Sequence, residues 1–556
     1  MSRLNVRAFS SEVGTGSREE NASKQKTRVP FRFHRNGKGS RITAALLSMA
    51  VAGCSVGPDF EAPNSPLLTR YTSPGERAAP DPDAKKTVPT QAVVLGGRAA
   101  ADWWMLFRSR DIDLVVKQAM AGNQTLESAK ARLAQAREAV AAATSALYPQ
   151  IGLSANDQQE RLSALTFGLS PSVVPLPSNF NVFQVGPTAS YTPDLFGGTR
   201  RRIEQQSALA DYQSDQLDAA YLALTGNTVS QALQVAAVRA QLNALRDLLT
   251  IDRQNVDLVR KERQTGTVPD SDVITAESQL AADETIQPGL EQQLSVAKHA
   301  LAVLVGQAPG NWSSPDFDLA TLTLPHRLPV SIPSELVHQR PDIHAAEAQL
   351  HAASAEIGIA TAQLYPSITL SGGLSASSLN GGNLFNPAGV VWSVAAGLTQ
   401  PIFDGGMREA ERRAALAAFK ASAADYQQTV LQAFGQVANI LQALTHDTNL
   451  LAAQKHALAM ASEAVRLQRI SYGNGGSGII GLLDVQRQLQ QAQLGYIRAE
   501  AQRYQDTVQL MVAVGGGWWD QKLASRENES GRAQRLSMIR ESGTRFSLAT
   551  NAKRLR

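Results

Sequence analysis

Two clusters hold residue types at spacings that could do chemistry. Gly473-Asn474-Gly475-Gly476-Ser477-Gly478 fits G-x-G-x-x-G, the glycine spacing that lets backbone N–H groups cradle a dinucleotide pyrophosphate. That chemistry needs a strand before the loop and a helix after it. Here a long heptad pattern precedes the loop, so it reads as a flexible turn between two helices. His338, His344 and His351 look like a metal cluster. His344 and His351, however, lie two helical turns apart, roughly 10 Å, too far to share one ion. They read as solvated helix histidines. There is no Walker loop, no Cys–Cys metal spacing and no nucleophile elbow. The sequence therefore predicts no catalytic residue, no metal site, no cofactor and no enzyme.

What positions these residues is a rod. From Gly198 to about Thr265 there is no proline and a single glycine, Gly226. Apolar residues recur at alternating steps of four and three: Leu217, Tyr221, Leu224, Val235, Val238, Leu242, Leu245, Leu249, Val256 and Val259. Thr228, Gln231 and Asp252 put polar side chains in the remaining slots. A 3.5-residue repeat keeps one stripe against a partner helix, as in a coiled coil. About 67 residues at about 1.5 Å each give a rod of roughly 100 Å, far beyond the helices of a compact enzyme. A second rod runs from Gly406 to about Gly473, with Val430, Phe434, Val437, Leu441, Leu444, Leu451, Leu458 and Val465 in its seam.

The rods belong to a duplication. Leu147-Tyr148-Pro149 recurs as Leu364-Tyr365-Pro366, 217 residues on, and an alternating segment follows each. Pro193-Asp194-Leu195-Phe196-Gly197-Gly198 matches Pro401-Ile402-Phe403-Asp404-Gly405-Gly406 at an offset of 208. At 209, Gly266 matches Gly475 and Leu304-Val305-Gly306 matches Ala513-Val514-Gly515. A near-constant offset marks an internal repeat. Each half reads helix, strand, loop, strand, long helix, turn, helix, with the first helix expected from Asp111 to about Ala146. The strands, near 148–158, 181–192, 366–376 and 390–400, alternate apolar with small polar residues, as in Ile368, Leu370 and Leu374 against Thr369, Ser371 and Ser375. Transmembrane barrel strands and half-buried soluble sheets share that pattern. Four strands cannot close a barrel and open edges do not survive in lipid, so a membrane-spanning sheet requires several chains.

Composition bounds the rest. With 556 residues, 43% of them hydrophobic, the chain can fill a large core or divide into domains. Its net charge of +4 comes from its ends: residues 1–53 carry +7 and residues 521–556 carry +6, which leaves −9 on residues 54–520. The folding part is acidic, which argues against nucleic acid. Residues 1–41 are polar and basic, and the apolar run Ile42 to Gly53 after them is too short to span a bilayer. Cys54, the only cysteine, comes next. Val51-Ala52-Gly53-Cys54 resembles a bacterial lipoprotein signal, which implies cleavage before Cys54 and acyl chains on it. Ser55 follows, where an aspartate would suggest inner-membrane retention. The basic lead is long, so the real start is expected inside it. From Ser55 to about Ala101 the chain is proline-rich without apolar periodicity, as in an extended tether.

Several longer motifs occur in order: Cys54-Ser-Val-Gly-Pro-Asp-Phe60, Asp102-Trp-Trp-Met-Leu-Phe107, Arg340-Pro-Asp-Ile-His-Ala-Ala-Glu-Ala-Gln-Leu350, Ile357-Gly-Ile-Ala360, Leu482-Leu-Asp-Val-Gln-Arg487 and Gly515-Gly-Gly-Trp518. In these, over about residues 54–519, the chain resembles the outer-membrane efflux lipoproteins of the nodulation-factor-export and multidrug type, which work with resistance–nodulation–division pumps. The resemblance implies an α+β membrane protein: a duplicated long-helix α-barrel, with four β-strands per chain entering a shared twelve-stranded transmembrane barrel. It implies a homotrimer in the bacterial outer membrane, anchored in lipid and reaching into the periplasm. The implied partners are a periplasmic adaptor and an inner-membrane pump.

Tunnels of that family narrow at the periplasmic tip, at an acidic ring just past the turn into the last helix. Asp484 matches that ring, and Tyr472 and Gly475 match the turn. The implied adaptor contacts are the tip turns Gly266, Thr267, Val268 and Gly475, Gly476, Ser477. Gly473, Gly476 and Gly478 depart from the pattern and should loosen the second turn. Gly481 stands where some relatives are acidic, so one ring is expected. Arg263 occupies the place of Tyr472 in the first half, so the tip is not strictly sixfold.

The expected division is 1–53 signal peptide, 54–101 lipid-anchored tether, 102–310 first repeat, 311–333 linker, 334–519 second repeat and 520–556 a basic, disordered tail. The function expected is a passive exit duct for small molecules. The competing readings are a protein-secretion duct of the same architecture and a non-transporting coiled-coil scaffold. Cys54 and the Arg340–Leu350 motif favour efflux.

Overall fold

The heptad seams become two rods of equal length. The structure, a computed structural model, describes residues 55–66, 68–73, 88, 90–161 and 179–517. Cys54, the signal segment, Trp518 and the basic tail lie outside the described residues. The helices are α1 (Arg110–Gly122), α2 (Gln124–Ser145), α3 (Gly198–Gln264), α4 (Asp270–Glu284), α5 (Ile286–Leu304), α6 (Pro333–Leu336), α7 (Pro341–Ala362), α8 (Met407–Gly473) and α9 (Ile479–Ala513). The strands are β1 (Ala92–Leu95), β2 (Gln150–Glu160), β3 (Phe180–Tyr191), β4 (Arg327–Val330), β5 (Ser367–Ser378) and β6 (Val390–Thr399).

The rods α3 and α8 have 67 residues each and start after left-handed glycines, Gly197 and Gly406. The seam residues of α3 from Leu224 to Val259 are buried, as are Val430, Phe434, Val437, Leu441, Leu444, Leu451 and Val465 of α8. Each polar slot finds its own solution. The Thr228 hydroxyl donates to the Leu224 carbonyl (2.7 Å), the Gln231 amide donates to the Ala297 carbonyl of α5 (3.1 Å), and Asp252 meets Asp283 of α4. Gly226 lets α9 approach: a Cβ there would lie 2.5 Å from a Val512 methyl.

Two helices expected to be continuous are broken. The one beginning near Asp111 divides at Asn123, whose side chain accepts from the Leu126 N–H (3.1 Å) to cap α2 and donates to the Leu304 carbonyl (2.9 Å) at the end of α5. The return helix of the first half divides at Thr285. Pro288 thereby falls in the first turn of α5, where its missing N–H forfeits no bond. The second half has no proline there, and α9 runs unbroken for 35 residues.

β2, β3, β5 and β6 form one antiparallel sheet in that order, so the hairpins of the two halves meet at β3 and β5. The cross-strand pairs Ile151–Ala189, Leu370–Ala396 and Leu374–Trp392 place apolar side chains on one face. That face is bare. Ile151 and Leu153 are 78% exposed, Trp392 73% and Val394 79%. A soluble sheet covers its apolar face with another layer, and no described helix packs here. Among the described residues, the outer edges of β2 and β6 also lack partners. No described helix is long and apolar enough to cross a membrane.

The main core sits at the waist of the rods. Trp103, Trp104 and Phe107 of a short 3₁₀ turn pack with Ile112, Val115 and Val116 of α1, Leu328 and Val330 of β4, and the buried stripes of α3 and α8. β1 and β4, from two stretches expected to be irregular, pair in parallel. The arginine of the longest motif is structural. Buried Arg340 donates to the Ala513 carbonyl at the end of α9 (3.0 Å), to Asp342 (2.6 and 3.0 Å) and to Gln436 of α8 (2.9 Å). It thus satisfies an orphan helix-end carbonyl while tying α7 to α8 and α9. Arg340→Ala is expected to lower stability by about 2–4 kcal/mol, because buried acceptors lose their donor. The thermal midpoint in detergent measures this, and an unchanged midpoint contradicts it.

Candidate functional site

The two tip turns are one structure used twice. After α3, the Gly266 N–H donates to the Arg263 carbonyl (3.0 Å) and the Thr267 N–H to that of Glu262 (3.0 Å). After α8, the Gly475 N–H donates to Tyr472 (2.9 Å) and the Gly476 N–H to Ser471 (2.8 Å), the same bonds 209 residues later. This is the Schellman ending, which requires a left-handed residue just past the helix. Gly266 (φ 78°) and Gly475 (φ 71°) supply it. Gly473, Gly476 and Gly478 have no left-handed conformation, so the left-handed position of the second turn is held by Gly475 alone. The G-x-G-x-x-G spacing thus reduces to one glycine that closes a helix.

Below the turns, Val256, Val259, Ala276, Ile479, Leu482 and Leu483 form a small shared core, with Val268, Tyr472 and Val485 packed against it. The Tyr472 hydroxyl donates to Glu262 of the first half, and burial together with that bond pushes its pKa up. Arg263, in the matching place, instead pairs with Asp270 in its own turn and holds that carboxyl below the usual range. The halves therefore differ at the tip: one residue bridges across, the other binds locally.

Asp484 lies exposed on α9 and is not a free charge. Arg487 donates to its Oδ1 (2.6 Å) and Gln488 to its Oδ2 (2.9 Å). Sequence reasoning missed this partner, although arginine three residues after aspartate on a helix is the signal for it. An exposed pair of this kind contributes roughly 0–1 kcal/mol, so Arg487 can leave when another cation competes. The three histidines separate: His338 meets the Ser65 hydroxyl (2.8 Å), His344 the His338 carbonyl (3.0 Å) and His351 the Glu204 carboxylate (3.0 Å).

Two further acidic groups lie between rod and return helix. Asp252 of α3 faces Asp283 of α4, which also accepts from Gln279 (2.6 Å). Asp447 of α8 faces Asp506 of α9, beside the buried Arg503 guanidinium. Burial first, then the neighbouring carboxylate, pushes Asp252 up to about 7. The same two causes raise Asp447 to about 7, with Arg503 opposing them. Each pair therefore retains a proton where exposed carboxylates have lost theirs.

A duplicated pair of rod hairpins thus carries one bare, open-edged sheet. Residues 115–307 and 332–516 match the family model described as outer membrane efflux protein, and the chain belongs to that family. It is 27% identical over 493 residues to nodulation protein T of Rhizobium leguminosarum bv. viciae, covering 88% of this chain and 96% of that one. It is 28% identical over 484 residues to the pyoverdine export outer membrane protein OpmQ of Pseudomonas aeruginosa, covering 86% and 97%. The solved outer-membrane channel OprN superposes with a TM-score of 0.73 at 28% identity, covering 84% of this chain and 100% of that one. The open state of the Neisseria gonorrhoeae MtrE outer membrane channel superposes at 0.68 and 25% identity, covering 84% and 98%. The chain is an outer-membrane exit duct for efflux.

The buried pairs give this duct a pH dependence of definite sign. A carboxyl whose folded pKa is raised keeps its proton after the unfolded chain has lost it, so the contribution of these pairs to stability falls as pH rises from the ordinary carboxylate range toward 7. Between pH 5 and 8 the loss is expected to be roughly 2 kcal/mol per pair. Thermal midpoints across that range should flatten in the Asp252→Asn, Asp447→Asn double variant. A slope the substitutions leave intact contradicts the assignment.

Proposed function

We propose that three copies of this chain close one twelve-stranded barrel in the outer membrane and one helical tunnel beneath it. The observation that carries this reading is the sheet: four strands, one bare apolar face and two open edges. In hydrocarbon every backbone group must be paired, so the β2 edge of one copy must meet the β6 edge of the next. Residues 1–53 act as the signal peptide, and Cys54 carries the lipid anchor. The two repeats, 102–310 and 334–519, each contribute a hairpin of strands and a hairpin of helices.

In this reading the tip turns, Gly266-Thr267-Val268 and Gly475-Gly476-Ser477, meet a periplasmic adaptor, which connects the duct to an inner-membrane pump of the resistance–nodulation–division type. The duct is passive: direction and rate come from the pump. Relatives named for nodulation, pyoverdine export and cation efflux support small solutes as cargo. Asp484 narrows the periplasmic aperture. Three carboxylates around one axis repel one another and attract cations, and Arg487 on each chain moderates both effects.

Purified protein in planar bilayers tests this. Single-channel steps are expected, with higher conductance in Asp484→Ala and stronger cation selectivity in Arg487→Ala, which frees the carboxylate. Absence of conductance contradicts the duct; conductance and gating unchanged by either substitution remove Asp484 from the aperture.

A further inference from the structure

Arg201 is a buried cation of the first rod, and three of its four hydrogen-bond partners lie about 140 positions away. It sits in the first turn of α3, 4% exposed. Its Nε donates to the Val56 carbonyl (3.2 Å), and its Nη2 to the Gly57 carbonyl (3.3 Å) and the Asp59 carboxylate (2.6 Å). Its Nη1 donates to Glu204 (2.7 Å), which in turn meets His351 of α7 (3.0 Å). The His351 ring stacks on Phe60, centroids 4.3 Å apart and planes 12° apart. The Val56 N–H donates to the Phe196 carbonyl (3.0 Å). Residues 55–60 are therefore strapped to the start of α3 and to α7 by backbone and side chain alike.

The dock is shaped for close backbone approach. A Cβ on Gly57, which is left-handed (φ 93°), would lie 2.5 Å from the Gly358 Cα. A Cβ on Gly358 would lie 2.7 Å from the Arg201 Cγ, and one on Gly197 would lie 2.8 Å from the Ser55 Cα. Three glycines on three elements clear the path. The dock also has a definite address, because Gly197 and Gly198 join the end of β3 to the first turn of α3, where sheet becomes rod.

We propose that this dock registers the lipid-bearing end of the chain at the sheet–rod junction, with Arg201 as its positioning residue. The proposal rests on the anchor reading of Cys54. One peptide unit, about 3.8 Å, separates the Cα atoms of Cys54 and Ser55, so fixing Ser55 leaves the acyl group little reach. The bilayer surface that takes the acyl chains is then the surface the bare strands must enter. Lipid insertion delivers the sheet to the membrane at the right height, and the barrel closes from there. The energetic benefit is entropic: a short, fixed tether raises the effective concentration of sheet at the bilayer, and a slack one lowers it.

Two insertions separate registration from mere stabilisation. A flexible Gly-Ser segment placed after Ser55 lengthens the path between anchor and dock and leaves Arg201 and its partners intact. The same segment after Ala62 lies beyond the dock. The first is expected to reduce heat-resistant trimers in isolated outer membranes by roughly fivefold, and the second to leave them unchanged. Arg201→Ala should match the first insertion and speed hydrogen exchange at residues 56–60, with Arg201→Lys partly restoring both. Intact mass reads acylation independently. A chain that carries no acyl group sinks the anchor reading, and the proposal with it. An acylated chain whose trimers ignore the first insertion, or suffer equally from both, overturns the dock alone.

Discussion

A sheet of four strands with an uncovered apolar face cannot be an end state in water or in lipid. In water, the side chains of Ile151, Leu153, Trp392 and Val394 stay hydrated. In lipid, the edges of β2 and β6 leave rows of N–H and C=O groups without partners among the described residues. Each such group costs several kcal/mol in hydrocarbon. Even a few exceed the roughly 5–15 kcal/mol that stabilises a typical domain. In the proposed trimer, strands from other copies within a bilayer remove both penalties together. In that proposal the open sheet is what turns this chain from a folded object into a component.

The remainder of the fold serves that incompleteness. Equal rods in the two halves allow the sheet strands to stand side by side at one end and the tip turns to stand side by side at the other. The waist core around Trp103 and Phe107, and the Arg340 contacts to α8 and α9, hold the halves in register between those ends. At the tip the duplication is broken: Tyr472 reaches Glu262 across the halves, while Arg263 stays in its own turn.

Periodicity made the architecture legible. The seam from Leu217 to Val259 placed the first rod to within a residue of its ends, and alternation around Ile368–Leu374 placed the strands to within two or three. The choice between soluble sheet and membrane sheet was not in the alternation; it came from seeing that nothing covers Trp392 and Val394. Long-range polar partners were not legible at all. Nothing near Arg201 points to Asp59, and nothing near Asp252 points to Asp283. The division at Pro288 and the Asp484–Arg487 pair were local signals that could have been read. Periodic patterns report which face is buried, whereas hydrogen-bond partners depend on which faces the completed fold brings together.

The claim that this sheet is completed only by its own copies has a direct measurement: native mass spectrometry of the protein extracted from outer membranes in mild detergent. The account predicts a dominant particle of three chains that survives activation short of unfolding. A monodisperse single chain that retains its strand content contradicts it.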